Sequence, residues 1–266
     1  MHRSMVFYLL VALISPPVFS DGDELASLQN CGLGIVAHVP SGDILKLADN
    51  STVALADIKA PELWPNEVHY KSWPYGSSSK SALNTLVIGK SVTLLCGKNT
   101  HNALGQLVAH VQLSDDVWVQ QMLLGTGHSF FYPTSGDVQI SQALYAAEKK
   151  ARTKKVGLWA GHIYQVAEAT GTELKPGWFQ LVQGQVVSTA KVRKTIYLNF
   201  GENWRDDFTI QLNTHVEKQL QAQGITPLSL EGSDIEVRGW VEWSGGPKII
   251  LTHPNQLQIL TVGKTR

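Results

Sequence analysis

The chain has 266 residues, enough for two modest domains, and 43% of them are hydrophobic and 17% charged, as in ordinary folded proteins. Its 22 basic side chains balance 22 acidic ones, and neither half is basic: residues 21–170 carry 11 basic and 13 acidic groups, and residues 171–266 carry 10 and 9. This composition excludes a disordered or collagen-like chain and disfavours strong non-specific attraction to nucleic acid, while a local basic patch remains open.

The N-terminus is typical of an export signal. Arg3 precedes the apolar run Met5–Ile14, and Val18 and Ser20 are the small residues expected before a cleavage site. The run is too short to span a bilayer comfortably, although an uncleaved membrane anchor is the alternative. We therefore expect residues 1–20 to be removed, and the mature chain to be periplasmic or secreted and to have no transmembrane segment.

Export changes the interpretation of the two cysteines, Cys31 and Cys96. In an oxidising compartment they are expected to form a disulfide, and two buried free thiols are the alternative. Two cysteines without a histidine at metal-binding spacing do not predict a zinc site.

In the first half, short β-rich runs between turn residues predict strands, and apolar residues at helical spacing predict helices. The predicted strands are Leu33–Val39, Ile44–Leu47, Thr52–Ile58, Ser91–Cys96 and Gln106–Leu113. The predicted helices are Ser81–Val87, Trp118–Leu124 and Ile140–Val156, and residues 71–79 are expected to form a loop.

Residues 161–177 show no clear period and are expected to be a linker. Beyond them, Asn213 or Thr214 is expected to cap a helix at His215–Ala222 that Gly224 ends. The predicted strands of this half are Phe179–Val187, Thr195–Phe200, Phe208–Leu212, Ile235–Val241 and Ile249–Leu251, with Leu257–Leu260 extending the last.

Both halves share the order of three strands, a helix and two strands, which is that of the five-stranded OB barrel. We therefore predict a mainly β protein with two OB-type barrels, the first carrying extra helices. The expected domains are residues 31–160 and 178–262.

Four blocks of the first half carry a recognisable pattern: Ser41–Leu45, Val53–Glu62, Leu104–Ala109, and Ala147-Glu148 with Gly157–Trp159. In order and spacing they resemble the thermonuclease (staphylococcal nuclease) family over roughly residues 33–160. The family pattern is Asp-Gly-Asp-Thr-Leu, then Val-Arg-Leu-x-Gly-Ile-Asp-Ala-Pro-Glu, Tyr-Gly-Arg-x-Leu-Ala and a closing helix before Gly-Leu-Trp.

The resemblance implies hydrolysis of phosphodiesters. In that family, calcium held by carboxylates neutralises the developing charge on the phosphate, two arginines bind the phosphate oxygens, and a glutamate positions or deprotonates the attacking water. Asp43 matches a metal-binding aspartate, and Glu62 matches the glutamate.

The other catalytic positions depart from the pattern. Ser41 replaces the first acid, Ala54 and Gln106 stand at the two arginine positions, and Lys59 replaces a metal-binding carboxylate. Because one arginine can contribute about 10³–10⁵ in the rate of phosphoryl transfer, the losses are large. We hypothesise that Lys59 forms ion pairs with Asp43 and Glu62 where the metal would sit.

Two functions follow. The first is an exported, degenerate nuclease that serves as a binding or scaffold module for single-stranded nucleic acid or a protein, with no metal cofactor expected. The alternative is an active metal-dependent endonuclease with a rearranged site, which would use calcium. Asp43 as a turn residue and Glu62 as a loop carboxylate paired with Lys59 are the structural interpretations.

Further candidates each have a structural alternative. A basic stretch of α-helix, residues 149–155, is either a solvated face or a weak anion contact. Tyr132 either lines a groove or packs in the core, and the scattered histidines are expected on the surface or satisfied in the core. In the second half, Trp204 and Arg205 could stack on a base or sugar. The alternative is that Trp204 forms a lid on the barrel and Arg205 pairs with an aspartate. Strand alternation could place Arg238, Trp240 and Trp243 on one side of the sheet. There they could either pack in the core or form an interaction surface.

Overall fold

The structure, a computed structural model, describes residues 24–63, 72–203 and 206–263. The expected export signal at residues 1–20, together with Trp204 and Arg205, lies outside these residues. Within the described ranges, no helix has the length and apolar character needed to cross a membrane.

The first half contains seven strands and three helices in its described residues. The strands are β1 (Gln29–Ser41), β2 (Ile44–Leu47), β3 (Thr52–Leu55), β4 (Ile58–Lys59), β5 (Ser91–Cys96), β6 (Leu107–Leu113) and β7 (Phe130–Phe131). The helices are α1 (Gly76–Val87), α2 (Val119–Gly125) and α3 (Val138–Lys154).

Five of these strands close into a barrel in the order β1-β2-β3-β6-β5. All neighbours are antiparallel except β3 and β6, which are parallel with Val53 opposite Leu107. This is the OB arrangement that the strand order predicts. Alternate residues such as Val53 and Leu55 point into an apolar core that α1, α2 and α3 cover.

Cys31 and Cys96 are joined by a disulfide with a Cα–Cα distance of 5.8 Å. It links β1 to β5, the pair of strands at which the first barrel closes.

The described residues of the second half contain eight strands and one α-helix. The strands are β8 (Ala167–Glu168), β9 (Phe179–Gln185), β10 (Ser188–Val192), β11 (Thr195–Asn199), β12 (Thr209–Asn213), β13 (Asp234–Trp243), β14 (Pro247–Leu251) and β15 (Leu257–Thr261). The helix, α4, spans Thr214–Ala222, and the Asn213 side chain caps it by accepting from the amides of His215 and Val216.

The second sheet runs β10-β11-β12-β14-β13-β9-β8, with β15 also paired to β13. The sheet has two arms, one that ends at β10 and one that contains β9. The arms meet because β9 and β10 follow each other along the chain, separated only by Val186 and Val187. The amide of Val186 donates to Ser233, while that of Val187 donates to Asn199 on the other arm. The sheet therefore curls into a second OB-type barrel, with β12 and β14 as its parallel pair.

Four local predictions need correction. The predicted strand Thr52–Ile58 is broken after Leu55, and α1 begins at Gly76 inside the predicted loop 71–79. The predicted strand Phe179–Val187 ends at Gln185, and a separate strand, β10, follows it. The predicted linker contains β8, which pairs in parallel with β9 and so belongs to the second sheet.

An aromatic cluster lies between the two barrels. Trp73 of the first barrel stacks on Trp178 of the second, with ring centroids 5.0 Å apart, and its edge contacts Trp240. Phe130 of β7 likewise contacts Phe179 of β9 at 5.4 Å. Large aromatic surfaces buried in this way hold the barrels against each other.

Candidate functional site

Asp43 lies in the tight turn between β1 and β2. The Ser41 hydroxyl donates to its Oδ1 at 2.7 Å, and the Ala60 amide donates to its Oδ2 at 3.1 Å. The preceding residue must be glycine because a Cβ on Gly42 would come within 2.7 Å of the Cβ atoms of both Ala60 and Ser79. Packing alone therefore explains why a glycine precedes Asp43, whatever chemistry the site performs.

Lys59, the last residue of β4, forms two ion pairs. Its Nζ lies 2.7 Å from Oε1 of Glu62 and 3.5 Å from Oδ2 of Asp43. Burial disfavours the charged lysine, but the charge of Asp43 and the hydrogen bond to Glu62 outweigh it, so the pKa of Lys59 is raised. These three side chains, Asp43, Lys59 and Glu62, form the carboxylate–lysine cluster.

The backbone of Glu62 is anchored to the start of α1. Its carbonyl accepts from the amide of Trp73 at 2.7 Å, and a Cβ on Gly76 would come within 3.0 Å of the same oxygen. Because Trp73 also stacks on Trp178, the segment that carries Glu62 is connected to the second barrel.

The two expected arginine positions carry no charge. Ala54 lies in the middle of β3, between Ile44 and Val108 on the neighbouring strands. The Gln106 side-chain oxygen accepts from Asn102 at 2.7 Å across its own turn. None of the hydrogen bonds among the described residues joins Gln106 to the carboxylate–lysine cluster.

The described arginines lie elsewhere. Arg238 is fully buried and contacts Glu148 and Glu236, while Arg152 contacts Glu236. Arg152 is therefore part of the contact between barrels, and among the basic side chains of residues 149–155 only the lysines are exposed. Arg193 lies in the turn between β10 and β11. Within the described part of the chain, Lys59 is the cation in contact with Asp43 and Glu62.

Calcium does not fit this arrangement. The ion prefers six to eight oxygen ligands at about 2.3–2.6 Å. Here the ammonium group of Lys59 contacts both carboxylates, and its positive charge would repel a divalent cation. No group of three or more His, Cys, Asp or Glu side chains in residues 24–63, 72–203 and 206–263 is arranged to hold a metal.

Asp57 is a buried residue that the sequence argument overlooked. It has a φ of 58° and occupies the Gly position of the family pattern, which aspartate tolerates better than most residues. Its Oδ1 accepts from both the amide and the hydroxyl of Thr134, at 2.6 and 2.8 Å, and from the amide of Ser135 at 2.7 Å. An aspartate at a glycine position was the signal available in the sequence.

A histidine also faces Asp57: Nε2 of the buried His110 lies 3.4 Å from Oδ2. Burial favours the neutral carboxyl, but His110 and the hydrogen bonds from Ser135 and Thr134 outweigh it, so the pKa of Asp57 lies far below its ordinary value. Asp57 thus fixes the turn between β3 and β4, which places Lys59.

The aromatic candidates have structural contacts. Tyr132 packs edge-on against Phe179 of the second barrel, with centroids 5.4 Å apart. Arg238 is buried and Trp240 packs against Trp73, whereas Trp243 is 62% exposed. The expectation that Arg238, Trp240 and Trp243 share one side of the sheet is wrong, because strand alternation places residue 243 on the opposite side from 238 and 240.

Two comparisons with known proteins bear on this site. The family model of staphylococcal nuclease homologues matches residues 52–161, from β3 to just beyond Gly-Leu-Trp, so that the match begins after Asp43. A probable staphylococcal-like nuclease of rice (Oryza sativa subsp. japonica) is 29% identical over 136 residues, which cover 51% of this chain and 32% of the rice protein. The matched region thus spans about a third of that relative's length. Residues 52–161 of this chain form a staphylococcal nuclease-like domain.

Proposed function

We propose that this protein is an exported, catalytically degenerate nuclease-like protein whose two barrels serve as a binding or scaffold module. The observation that carries the proposal is the pair of contacts from Lys59 Nζ to Glu62 and Asp43, at 2.7 and 3.5 Å. An internal ammonium group neutralises the carboxylates that hydrolysis would need for a metal ion.

The missing arginines support the same conclusion. The phosphate would meet Ala54 and Gln106 where the family pattern has guanidinium groups, and neither side chain can supply charge. Among the described arginines, Arg152 and Arg238 are held by buried glutamates, and Arg193 lies in the turn between β10 and β11 of the second barrel. Even a bound metal would therefore lack the groups that stabilise the transition state.

Export is supported by the apolar N-terminal run and by the disulfide between Cys31 and Cys96, because disulfides persist mainly in oxidising compartments. Single-stranded nucleic acid and protein are both partner classes that OB-type barrels accept. Neither half is strongly basic, and this favours a protein.

The test combines nuclease assays on single-stranded DNA and RNA with calorimetric titration of calcium. Assays are run with calcium, with other divalent ions and with a chelator, using the wild type and Glu62→Ala. We expect no cleavage above the Glu62→Ala variant and no tight binding of calcium. Metal-dependent cleavage that Glu62→Ala abolishes would instead establish the alternative, an active endonuclease with a rearranged site.

The Lys59→Asp variant tests the loss of metal binding separately from the loss of the two arginines. It restores the carboxylate of the family pattern, so we expect calcium binding to appear while cleavage stays absent, since Ala54 and Gln106 are unchanged. Lys59→Met, which removes the charge without adding a ligand, is the matched control. Failure of Lys59→Asp to gain calcium affinity over Lys59→Met would show that the lysine is not what excludes the metal.

A further inference from the structure

A groove of about 490 Å³ lies between α1 and α2, apart from the carboxylate–lysine cluster. Its volume is within the usual range of small-molecule sites, roughly 300–1,000 Å³. It is lined by Ser78, Ser81, Ala82, Thr85, Leu86, Lys90, Met122, Leu123, Thr126 and His128.

The lining combines apolar surface with hydroxyl groups. Leu86 is half-buried, and Met122 keeps 44% of its surface exposed. Four hydroxyl side chains share the lining with them: Ser78, Ser81, Thr85 and Thr126. Such a surface accepts an apolar body and offers hydrogen bonds to a polar head.

The charge of the lining has one sign. Among the residues that the structure describes, Lys90 and His128 are the titratable groups of the lining, and none of the lining residues is a carboxylate. Lys90 is exposed, and no ion pair within the described residues engages it. Its positive charge is therefore available to a ligand.

The hydrogen bonds around His128 indicate which ring nitrogen carries the proton. The Thr126 hydroxyl donates to the carbonyl of Met122 at 2.8 Å, so Nδ1 of His128, 3.0 Å from the same oxygen, is the donor to Thr126. In the neutral ring, Nε2 then carries a lone pair. An anion bound beside it would favour uptake of a proton there, which adds a second positive charge to the groove.

From this lining we propose that the groove between α1 and α2 binds a small amphipathic anion, with its apolar body against Leu86 and Met122 and its acidic head toward Lys90 and His128. The site is independent of the degenerate nuclease centre. It would give the first barrel a ligand of its own.

The experiment compares octanesulfonate, whose head stays ionised, with octanol, which has the same chain without charge. Both are titrated into the protein by calorimetry, and two-dimensional amide NMR maps the contacts. We expect octanesulfonate to bind more tightly than octanol and to shift amides of residues 78–90 and 122–128. Burial lowers the pKa of His128 below its ordinary value, so the affinity for octanesulfonate should rise as the pH falls from about 7 to about 5, where His128 becomes protonated.

Substitutions at exposed positions test the lining without disturbing the core. Thr85→Trp fills the groove and is expected to weaken binding about tenfold or more. Lys90→Gln should weaken binding of octanesulfonate about twofold to fivefold and leave octanol unchanged. Met122→Glu should also weaken it, by adding a negative charge.

Lys149→Gln, an exposed lysine on α3 outside the groove, is the matched control and should leave binding unchanged. Equal affinity for octanol and octanesulfonate would overturn the assignment of an anion. Binding that survives Thr85→Trp, or no binding of either probe, would overturn the site itself.

Discussion

Nη1 of Arg238 lies 2.8 Å from Oε2 of Glu148, and both side chains are fully buried between the two barrels. Arg238 belongs to β13 and Glu148 to α3, so the pair joins the nuclease-like domain to the second barrel. The same guanidinium donates to Glu236 at 2.8 Å and to the Phe131 carbonyl at 3.0 Å. Because charges buried without partners are strongly destabilising, this pairing fixes how the barrels meet.

Arg238→Met is expected to reduce the free energy of unfolding by about 3–5 kcal/mol, because it leaves Glu148 buried without its nearest cation. Urea denaturation followed by tryptophan fluorescence measures the change. Lys248→Gln is the control: Lys248 lies 3.9 Å from Glu242 near the surface, and its loss should change stability by about 1 kcal/mol or less. A loss below about 1 kcal/mol in Arg238→Met would show that the pair does not hold the barrels.

Asp57 should make stability depend on pH in the acid range. Since its pKa is lowered in the folded state, its contribution is fully present above its unfolded value of about 3.9 and is lost as the pH falls toward the folded value. Asp57→Asn should therefore flatten the loss of unfolding free energy below about pH 4. Asp115→Asn, at an exposed position, provides the comparison. The same steep loss in Asp57→Asn as in the wild type would contradict the assignment.

His253 should act at milder pH. Burial lowers its pKa, although the charge of Asp57 and a hydrogen bond to the Ser135 backbone partly oppose this. The unfolded state thus binds the proton more tightly, so stability falls as the pH falls from about 7 through the unfolded pKa of about 6.5.

His253→Asn tests this contribution. Asparagine can still accept from the Asn255 amide at the start of the short helix Pro254–Gln256, as His253 does. Denaturation curves from about pH 8 to about pH 5 should show a smaller slope of stability against pH in the variant. An unchanged slope would mean that His253 does not contribute.

The disulfide should contribute strongly to stability. It joins residues 65 apart, and the chain-entropy model gives about 4 kcal/mol for a loop of that length. The double variant Cys31→Ala with Cys96→Ala should lose roughly this amount in urea denaturation. A reductant should destabilise the wild type and leave the double variant unchanged, and equal sensitivity of the two would contradict the prediction.

The local sequence determined much of the fold. Turn residues and alternation located β2 and β5 at their observed bounds, and Asn213 as the cap of α4, because these features depend on neighbours in the chain. Predicted element boundaries were wrong where contacts with residues distant in sequence determine them. The strand after Leu55 breaks because Asp57 turns back to bind Thr134 and Ser135, which lie 77 and 78 residues away.

For the candidate site, the family pattern by itself identified Asp43, Lys59 and Glu62 as the residues to examine. The positive charge of Lys59 then predicted ion pairs with the two carboxylates. Only the tertiary structure showed which arginines and aromatic residues are buried and which residues they contact. Arg152 and Arg238 are far apart in sequence, and nothing local distinguishes a solvated basic side chain from one that pairs with Glu236 in the other barrel. Burial and charge pairing depend on which surfaces meet, and that is settled by the packing of the two barrels.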